Sequence, residues 1–230
     1  GRGLRRARLR DAQKEDGHDE PNKHWAIVAT VCGPIGYTKI SSYLGKTNKG
    51  TDCRFIRHDG ATAKPADLAQ LLGIQWLTPQ LDRLFMEGSS SRRHFLDRLV
   101  LGLHPDHGRR VRAYGRNLQE RARIQRGGNG DPAWLSAIEA RMAADGVAVA
   151  AARKETLANL QQFLVEAPGQ FPRPELVVAG QIEAWLEELP AIEVEERFAE
   201  MLEKNRRRDL ENKNTAMGPH RSDLIVHHAD

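Results

Sequence analysis

The chain has 230 residues, of which 40% are hydrophobic and 29% are charged, and its formal net charge is +4. This length allows one large domain or two small ones, and the apolar fraction is sufficient for a buried core. No apolar run approaches the roughly 18 residues of a membrane-spanning helix, and the basic start lacks the apolar stretch of a secretory signal. We therefore expect a cytoplasmic protein without a membrane segment. The two cysteines, Cys32 and Cys53, have neither disulfide-framework nor zinc-ligand spacing.

The charged residues are distributed unevenly along the chain. Residues 2–14 hold five arginines, residues 92–126 hold ten arginines, and residues 175–203 hold nine glutamates and one arginine. Arginine neutralises phosphate groups and stacks on bases, so the basic segments favour contact with nucleic acid. The alternative is a solvent-exposed helix face whose arginines pair with the acidic segment.

The first part of the chain predicts an antiparallel sheet with little helix. Residues 24–43 are rich in β-branched and aromatic side chains and are interrupted at Gly33 and Gly36, which predicts two strands joined by a turn. Three further elements are predicted: a strand at 52–58, a helical turn at 66–72 and a buried strand at 74–77.

A helical pattern replaces this one after residue 88. Serines at 89–91 can cap a helix, and apolar residues then recur at helical spacing to Arg126, with a break at Pro105. An apolar stripe along residues 133–164 predicts a long amphipathic helix.

A second helical pattern follows the proline-rich residues 167–174. It covers residues 182–202, and because each of the two helices has one apolar face, they should pair antiparallel as a projecting arm. Residues 223–226 predict a strand that returns to the sheet.

The sequence contains no Gly-x-x-x-x-Gly-Lys-[Ser/Thr] phosphate loop. Its nearest approach, Gly45-Lys46-Thr47, has Ile40 where the first glycine is required. We interpret the segment as a hairpin loop.

Two separated motifs resemble the RecF family. The first is Trp76-Leu-Thr-Pro-Gln-Leu-Asp-Arg-Leu-Phe85, closed by Arg92-Arg93-His94-Phe95-Leu96-Asp97, and the second is Gly218-Pro-His-Arg-Ser-Asp-Leu224. The resemblance covers residues 1–226, with departures at Gln80, at Ser89-Ser90 and at Lys213-Asn214.

The resemblance implies an α/β (α+β) fold, a partial ABC/SMC-type ATPase head with an antiparallel sheet. A helical arm, an antiparallel helix hairpin, is inserted into that head. We expect residues 1–88 to form part of the head, residues 89–212 the arm, and residues 213–230 the return strand. In the family, the phosphate loop precedes an element that Gly1-Arg2-Gly3-Leu4-Arg5 resembles, and the signature motif and Walker B carboxylates would follow Asp230. The sequence is therefore expected to be an internal fragment that does not hydrolyse ATP alone.

The resemblance implies a DNA replication and repair function in recombinational repair and the SOS response. The intact family members bind ATP and Mg, act on single-stranded or gapped DNA, and are weak DNA-stimulated ATPases. The implied partners are RecR-type and RecO-type mediators and a second copy in an ATP-dependent homodimer. The alternative is a non-enzymatic helical module that recruits recombination partners and whose arginines are structural.

Four residues are candidates for positions near the nucleotide: Arg5, Gln80, His220 and Arg221. Arg5 matches an arginine that reaches the terminal phosphate in related heads, or it is one basic residue among several at the start. Gln80 matches a polar residue that senses metal and nucleotide, or it belongs to a helix-start turn. Arg221 could instead pair with Asp223.

Six arginines are candidates for phosphate contacts because the sequence offers them no obvious partner: Arg92, Arg98, Arg109, Arg110, Arg112 and Arg116. Arg93 is set apart because it precedes Asp97 by four residues, a spacing suited to an ion pair. The histidine pairs His104/His107 and His227/His228 lack further ligands at metal-site spacing, so we assign no metal to them.

Overall fold

The computed structural model describes residues 8–12, 25–33, 36–75, 78–127, 131–166 and 172–228. The chain divides into two compact units, Gly1–Leu72 and Gly73–Asp230. The expected division into residues 1–88, 89–212 and 213–230 stays a prediction.

The first unit contains an antiparallel sheet, as the sequence predicts, but the short fourth strand of this sheet was not predicted. Its strands are β1 (Ala26–Gly33), β2 (Gly36–Lys46), β3 (Asp52–His58) and β4 (Ala61–Thr62), in that spatial order, followed by helix α1 (Pro65–Leu71). Phe55 stacks on Tyr43 across β2 and β3, with ring centroids 5.5 Å apart. A Cβ atom on Gly45 would lie 2.8 Å from the Phe55 ring. Gly45 is therefore required for packing within the hairpin, which agrees with the interpretation of this segment as a hairpin.

The second unit is mostly helical. A 3-10 helix at Pro79–Arg83 precedes the following elements: α2 (Ser89–Leu103), α3 (His107–Gly127), α4 (Pro132–Glu166), β5 (Pro174–Ala179), α5 (Gln181–Glu188), α6 (Ala191–Lys204), α7 (Arg206–Glu211) and β6 (Asp223–His228).

Helix α4 is the central element of this unit. Near its start, Glu139 bonds to Arg121 of α3 and Arg206 of α7, and further along, Lys154 contacts Glu187 of α5. The start of α4 thus contacts the end of residues 181–211, and a later part of α4 contacts their beginning. The two segments therefore run antiparallel, which confirms the predicted pairing. The main core lies between α3, α4 and α6, around Met142, Phe198 and their neighbours.

Two expectations about strands were wrong. Ile74 and Gln75 form no strand, and Ile74 is 61% exposed; Trp76 and Leu77 lie outside the described residues. The predicted strand β6 is present, but it pairs antiparallel with β5, an unpredicted strand, in a separate two-stranded sheet. Proline is tolerated at the first position of a strand, and β5 begins at Pro174.

A buried arginine of α3 joins this helix to three others, α4, α6 and α7. Arg121 has no exposed surface and donates to Glu139 Oε1 at 2.8 Å, Asp209 Oδ2 at 2.8 Å, Thr215 Oγ1 at 3.1 Å and the Leu202 carbonyl at 2.7 Å. Arg206 also bonds to Glu139. We call these residues, Arg121, Glu139, Arg206 and Asp209, the Arg121 cluster; its two positive and two negative charges balance.

We expect Arg121→Ala to lower the free energy of unfolding by about 3–5 kcal/mol, because the substitution leaves Glu139 and Asp209 buried without their main partner. The measurement is urea unfolding of the 230-residue chain. The control is Arg123→Ala, two residues along the same helix, where an exposed arginine pairs with Glu120 and little change is expected. Equal losses for the two variants would contradict the structural role of Arg121.

Candidate nucleic-acid interface

One face of α3 carries a row of exposed arginines. Helical spacing of three, four and seven residues places them on the same side of the helix. We call this row the α3 ridge, formed by Arg109, Arg112, Arg116, Arg123 and Arg126. From the first to the last member it is about 25 Å long at the rise of an α-helix.

The acidic residues near the ridge neutralise only part of it. Arg109 lies 3.2 Å from Asp106, and Arg123 lies 2.6 Å from Glu120. Within the described residues, Arg112 and Arg116 have no carboxylate at ion-pair distance. The ridge therefore has unneutralised positive charge at its centre.

The glutamates of residues 175–203 do not supply the missing partners. Glu200 bonds to Lys204 of its own helix, and Glu203 bonds to Arg206. The contacts along the ridge therefore do not support the alternative in which the acidic segment, residues 175–203, pairs with the basic segment, residues 92–126.

The ridge brings together three of the six arginines that the sequence singled out. Arg110 points about 100° away from Arg109 and is half-buried. Arg98 lies over the Phe95 ring, 5.5 Å from its centroid. The sequence-based prediction missed Arg123 and Arg126. The signal that could have found them was their helical spacing from Arg116.

Arg92 was singled out because the sequence offers it no obvious partner, but the structure shows one. It donates to both carboxylate oxygens of Asp223, at 2.8 and 2.7 Å, and to the Glu87 carbonyl. These bonds hold the pKa of Asp223 below its usual value. The pair joins the start of α2 to the start of β6, so Asp223 does not pair with Arg221.

The expected ion pair between Arg93 and Asp97 was also wrong. Asp97 instead accepts two bonds from Arg153, at 2.9 and 3.0 Å, and one from His107 at 2.8 Å. Burial raises the pKa of Asp97, but the bonds from His107 and Arg153 outweigh it and hold the pKa below the usual value. Arg93 donates to the Ser222 carbonyl at 2.8 Å.

The second motif lies against α3 through His220. The His220 Nε2 lies 3.1 Å from the Thr215 carbonyl, and Nδ1 lies 2.7 Å from the Tyr114 hydroxyl. Since a carbonyl only accepts, Nε2 carries the proton and the Tyr114 hydroxyl donates to Nδ1. Burial lowers the pKa of His220 to about 4 and raises that of Tyr114, so both groups stay neutral near pH 7.

A glycine makes this contact possible. Gly218 has φ of +135°, and a Cβ atom there would lie 2.1 Å from the Tyr114 hydroxyl oxygen. Any larger residue would displace Tyr114 or the loop.

The side chains of two predicted site residues lie outside the described part of the structure. Arg5 lies outside the described residues. Gln80 belongs to the 3-10 helix Pro79–Arg83, but its side chain is not described. In the part of the chain that the structure describes, no group of three or more His, Cys, Asp or Glu side chains could hold a metal ion. None of the described helices combines the length and apolarity that crossing a membrane requires.

We expect the protein to lose stability as the pH falls from about 6.5 to about 4, because the unfolded chain then binds a proton that folded His220, with its lowered pKa, does not. His220→Gln should reduce this loss, as measured by urea unfolding at several pH values. Asp97 and Asp223 contribute only at lower pH, where their carboxylates become protonated. The control is His94→Gln at an exposed position, which should retain the loss. An unchanged pH dependence in His220→Gln would contradict the assignment.

No protein-family model matches the chain. It is similar along its whole length to proteins named DNA replication and repair protein RecF. The protein from Mesorhizobium japonicum is 41% identical in an alignment 231 residues long that covers 99% of this chain and 60% of the relative. The protein from Rhizobium meliloti is 41% identical over 234 residues, 100% of this chain and 61% of the relative.

The fold is similar to two solved structures. One is the recombination mediator protein RecF-ATPrS in the RecFOR pathway, with a TM-score of 0.72 and 18% identity over 97% of this chain and 60% of that chain. The other is RecF-ATP in the same pathway, with a TM-score of 0.67 and 20% identity over 90% of this chain and 56% of that chain. At these identities the structures establish the α+β fold. The chain is homologous to RecF proteins from end to end, and it spans about 60% of the length of the relatives it matches.

Proposed function

We propose that this chain is part of a RecF-type DNA replication and repair protein. In its intact form the protein binds single-stranded or gapped DNA in an ATP-dependent manner, in the cytoplasm, during recombinational repair and the SOS response. The observation that carries the proposal is 41% identity over 99% of the chain to a protein of that name. The unneutralised α3 ridge supports the DNA-binding part.

The α3 ridge is the proposed DNA-contacting surface. Each arginine that meets a backbone phosphate releases condensed counterions, and guanidinium groups bind phosphate oxygens in bidentate fashion. A rigid helix keeps the arginines at fixed separations, so the ridge fits a run of successive phosphates. Arg110 remains a proposed contact beside the ridge. Arg92 and Arg98, whose side chains are engaged within the protein, are weaker candidates.

The loop at residues 213–222 is the proposed link to the nucleotide. We keep Arg5, Gln80, His220 and Arg221 as nucleotide-proximal residues of the intact protein, which would bind ATP and Mg. His220 touches Tyr114, and Tyr114 lies on the helix that carries the ridge. A nucleotide-dependent movement of the loop would thus reach α3 directly. RecR-type and RecO-type mediators and a second copy of the intact protein are the proposed partners.

The second candidate is a non-enzymatic helical module that recruits recombination partners. This candidate is favoured by the arginines that form ion pairs within the protein, above all Arg92 with Asp223 and Arg153 with Asp97. In this case the chain would have little affinity for DNA.

We expect Arg112→Gln and Arg116→Gln each to weaken binding of the chain to single-stranded DNA, because each removes an unpaired phosphate contact. Each should also reduce the slope of log affinity against log salt by about 0.7, the value for one phosphate contact on a single strand. The measurement is fluorescence anisotropy with a labelled oligothymidylate at several salt concentrations.

The matched control is Arg207→Gln in α7, a 92% exposed arginine paired with Glu211 outside the ridge. The slope should not change in this variant. Equal slopes in all variants would remove the ridge from the proposal, and the absence of salt-dependent binding by the unsubstituted chain would favour the helical module.

A further inference from the structure

Four arginines gather where the start of α2 meets the second motif: Arg92, Arg93, Arg153 and Arg221. Two of them are neutralised, since Arg92 holds Asp223 and Arg153 holds Asp97, each through two bonds. The nearby carboxylates are therefore already occupied. Glu183, the other acidic group, accepts a bond from Ser222 and lies 4.0 Å from Arg153.

Within the described part of the chain, the other two arginines bond only to main-chain carbonyls. Arg93 donates through Nη1 to the Ser222 carbonyl at 2.8 Å, and Arg221 donates through Nε to the Thr215 carbonyl at 3.1 Å. Among the described residues, neither has a carboxylate at ion-pair distance. Each guanidinium therefore keeps several N–H groups available for a further acceptor.

The positive charges in this group act on one another. Burial lowers the pKa of Arg93, and the nearby charges of Arg153 and Arg221 lower it further. The charges of Arg221 and Arg93 also disfavour protonation of His220. An anion between Arg93 and Arg221 would relieve this repulsion, whereas another cation would increase it.

We propose that Arg93 and Arg221 form a binding site for a phosphate group. Phosphate fits because two guanidinium groups present planar, paired donors, and a phosphate has enough oxygens to accept from both. Arg221 is exposed and Arg93 partly so, which leaves the site open to solvent. The site is distinct from the α3 ridge and does not depend on it. The phosphate could belong to a nucleotide or to a DNA backbone.

The test is a calorimetric titration of the 230-residue chain with inorganic phosphate at low chloride concentration. We expect saturable binding that weakens roughly tenfold or more in Arg93→Gln and in Arg221→Gln, as for a lost charge-assisted hydrogen bond. Arg93→Lys should weaken it less, because the charge remains while the forked geometry is lost. Arg207→Gln, at an exposed arginine outside both the ridge and this site, should leave phosphate binding unchanged.

Competition then identifies the source of the phosphate. Displacement of phosphate by ATP but not by oligothymidylate would assign the site to a nucleotide, and the reverse result would assign it to DNA. If circular dichroism shows that Arg93→Gln has lost helix, phosphate binding by Arg221→Gln, a substitution at an exposed position, decides the test. No saturable binding, equal binding by these variants, or equally tight binding of acetate would overturn the proposal. DNA binding through the ridge would be unaffected by that outcome, so the two proposals fail separately.

Discussion

The buried charge of Arg121 fixes the geometry on which the proposed surfaces depend. A guanidinium without solvent contact is tolerated only when its donors are satisfied, and here they meet Glu139, Asp209, Thr215 and a carbonyl of α6. Since these partners come from distant parts of the chain, their bonds fix α3 in one rotation about its axis. That rotation leaves the ridge facing solvent.

The loop that carries the second motif depends on the same helix. Thr215 is bonded to Arg121, and His220 is bonded to Tyr114 seven residues earlier on α3. Gly146 of α4 adds to this close fit, because a Cβ atom there would lie 3.1 Å from the Tyr114 ring and 3.3 Å from Pro219. A shift of the loop must therefore move Tyr114 or break its hydrogen bond.

The sequence predicted much of this fold because the local patterns agree with the tertiary structure. The strands at the start, the long α4 and its antiparallel partner follow from alternation and helical spacing. The burial of Arg121 was also predictable in principle, since it lies three residues after Leu118 and three before Ile124 on the apolar side of α3.

Other features depended on contacts that no local pattern encodes. The pairing of Arg92 with Asp223 joins residues 131 positions apart. The partner of Asp97 is likewise determined by packing. The local spacing of four residues favoured Arg93, but Asp97 bonds to Arg153 of α4. Strand β5 was missed because its flanking prolines resemble a loop, although an edge strand can begin at a proline.

We propose that the arginines of residues 92–126 divide into an interior set, which holds the fold together, and an exposed set, which contacts phosphate. Arginine-specific chemical modification read by mass spectrometry, with and without single-stranded DNA, tests this division most directly. DNA should protect Arg112 and Arg116 from modification, while Arg207 should be equally reactive with and without DNA. Protection of Arg207 but not of the α3 ridge, or equal reactivity at every exposed arginine, would contradict it.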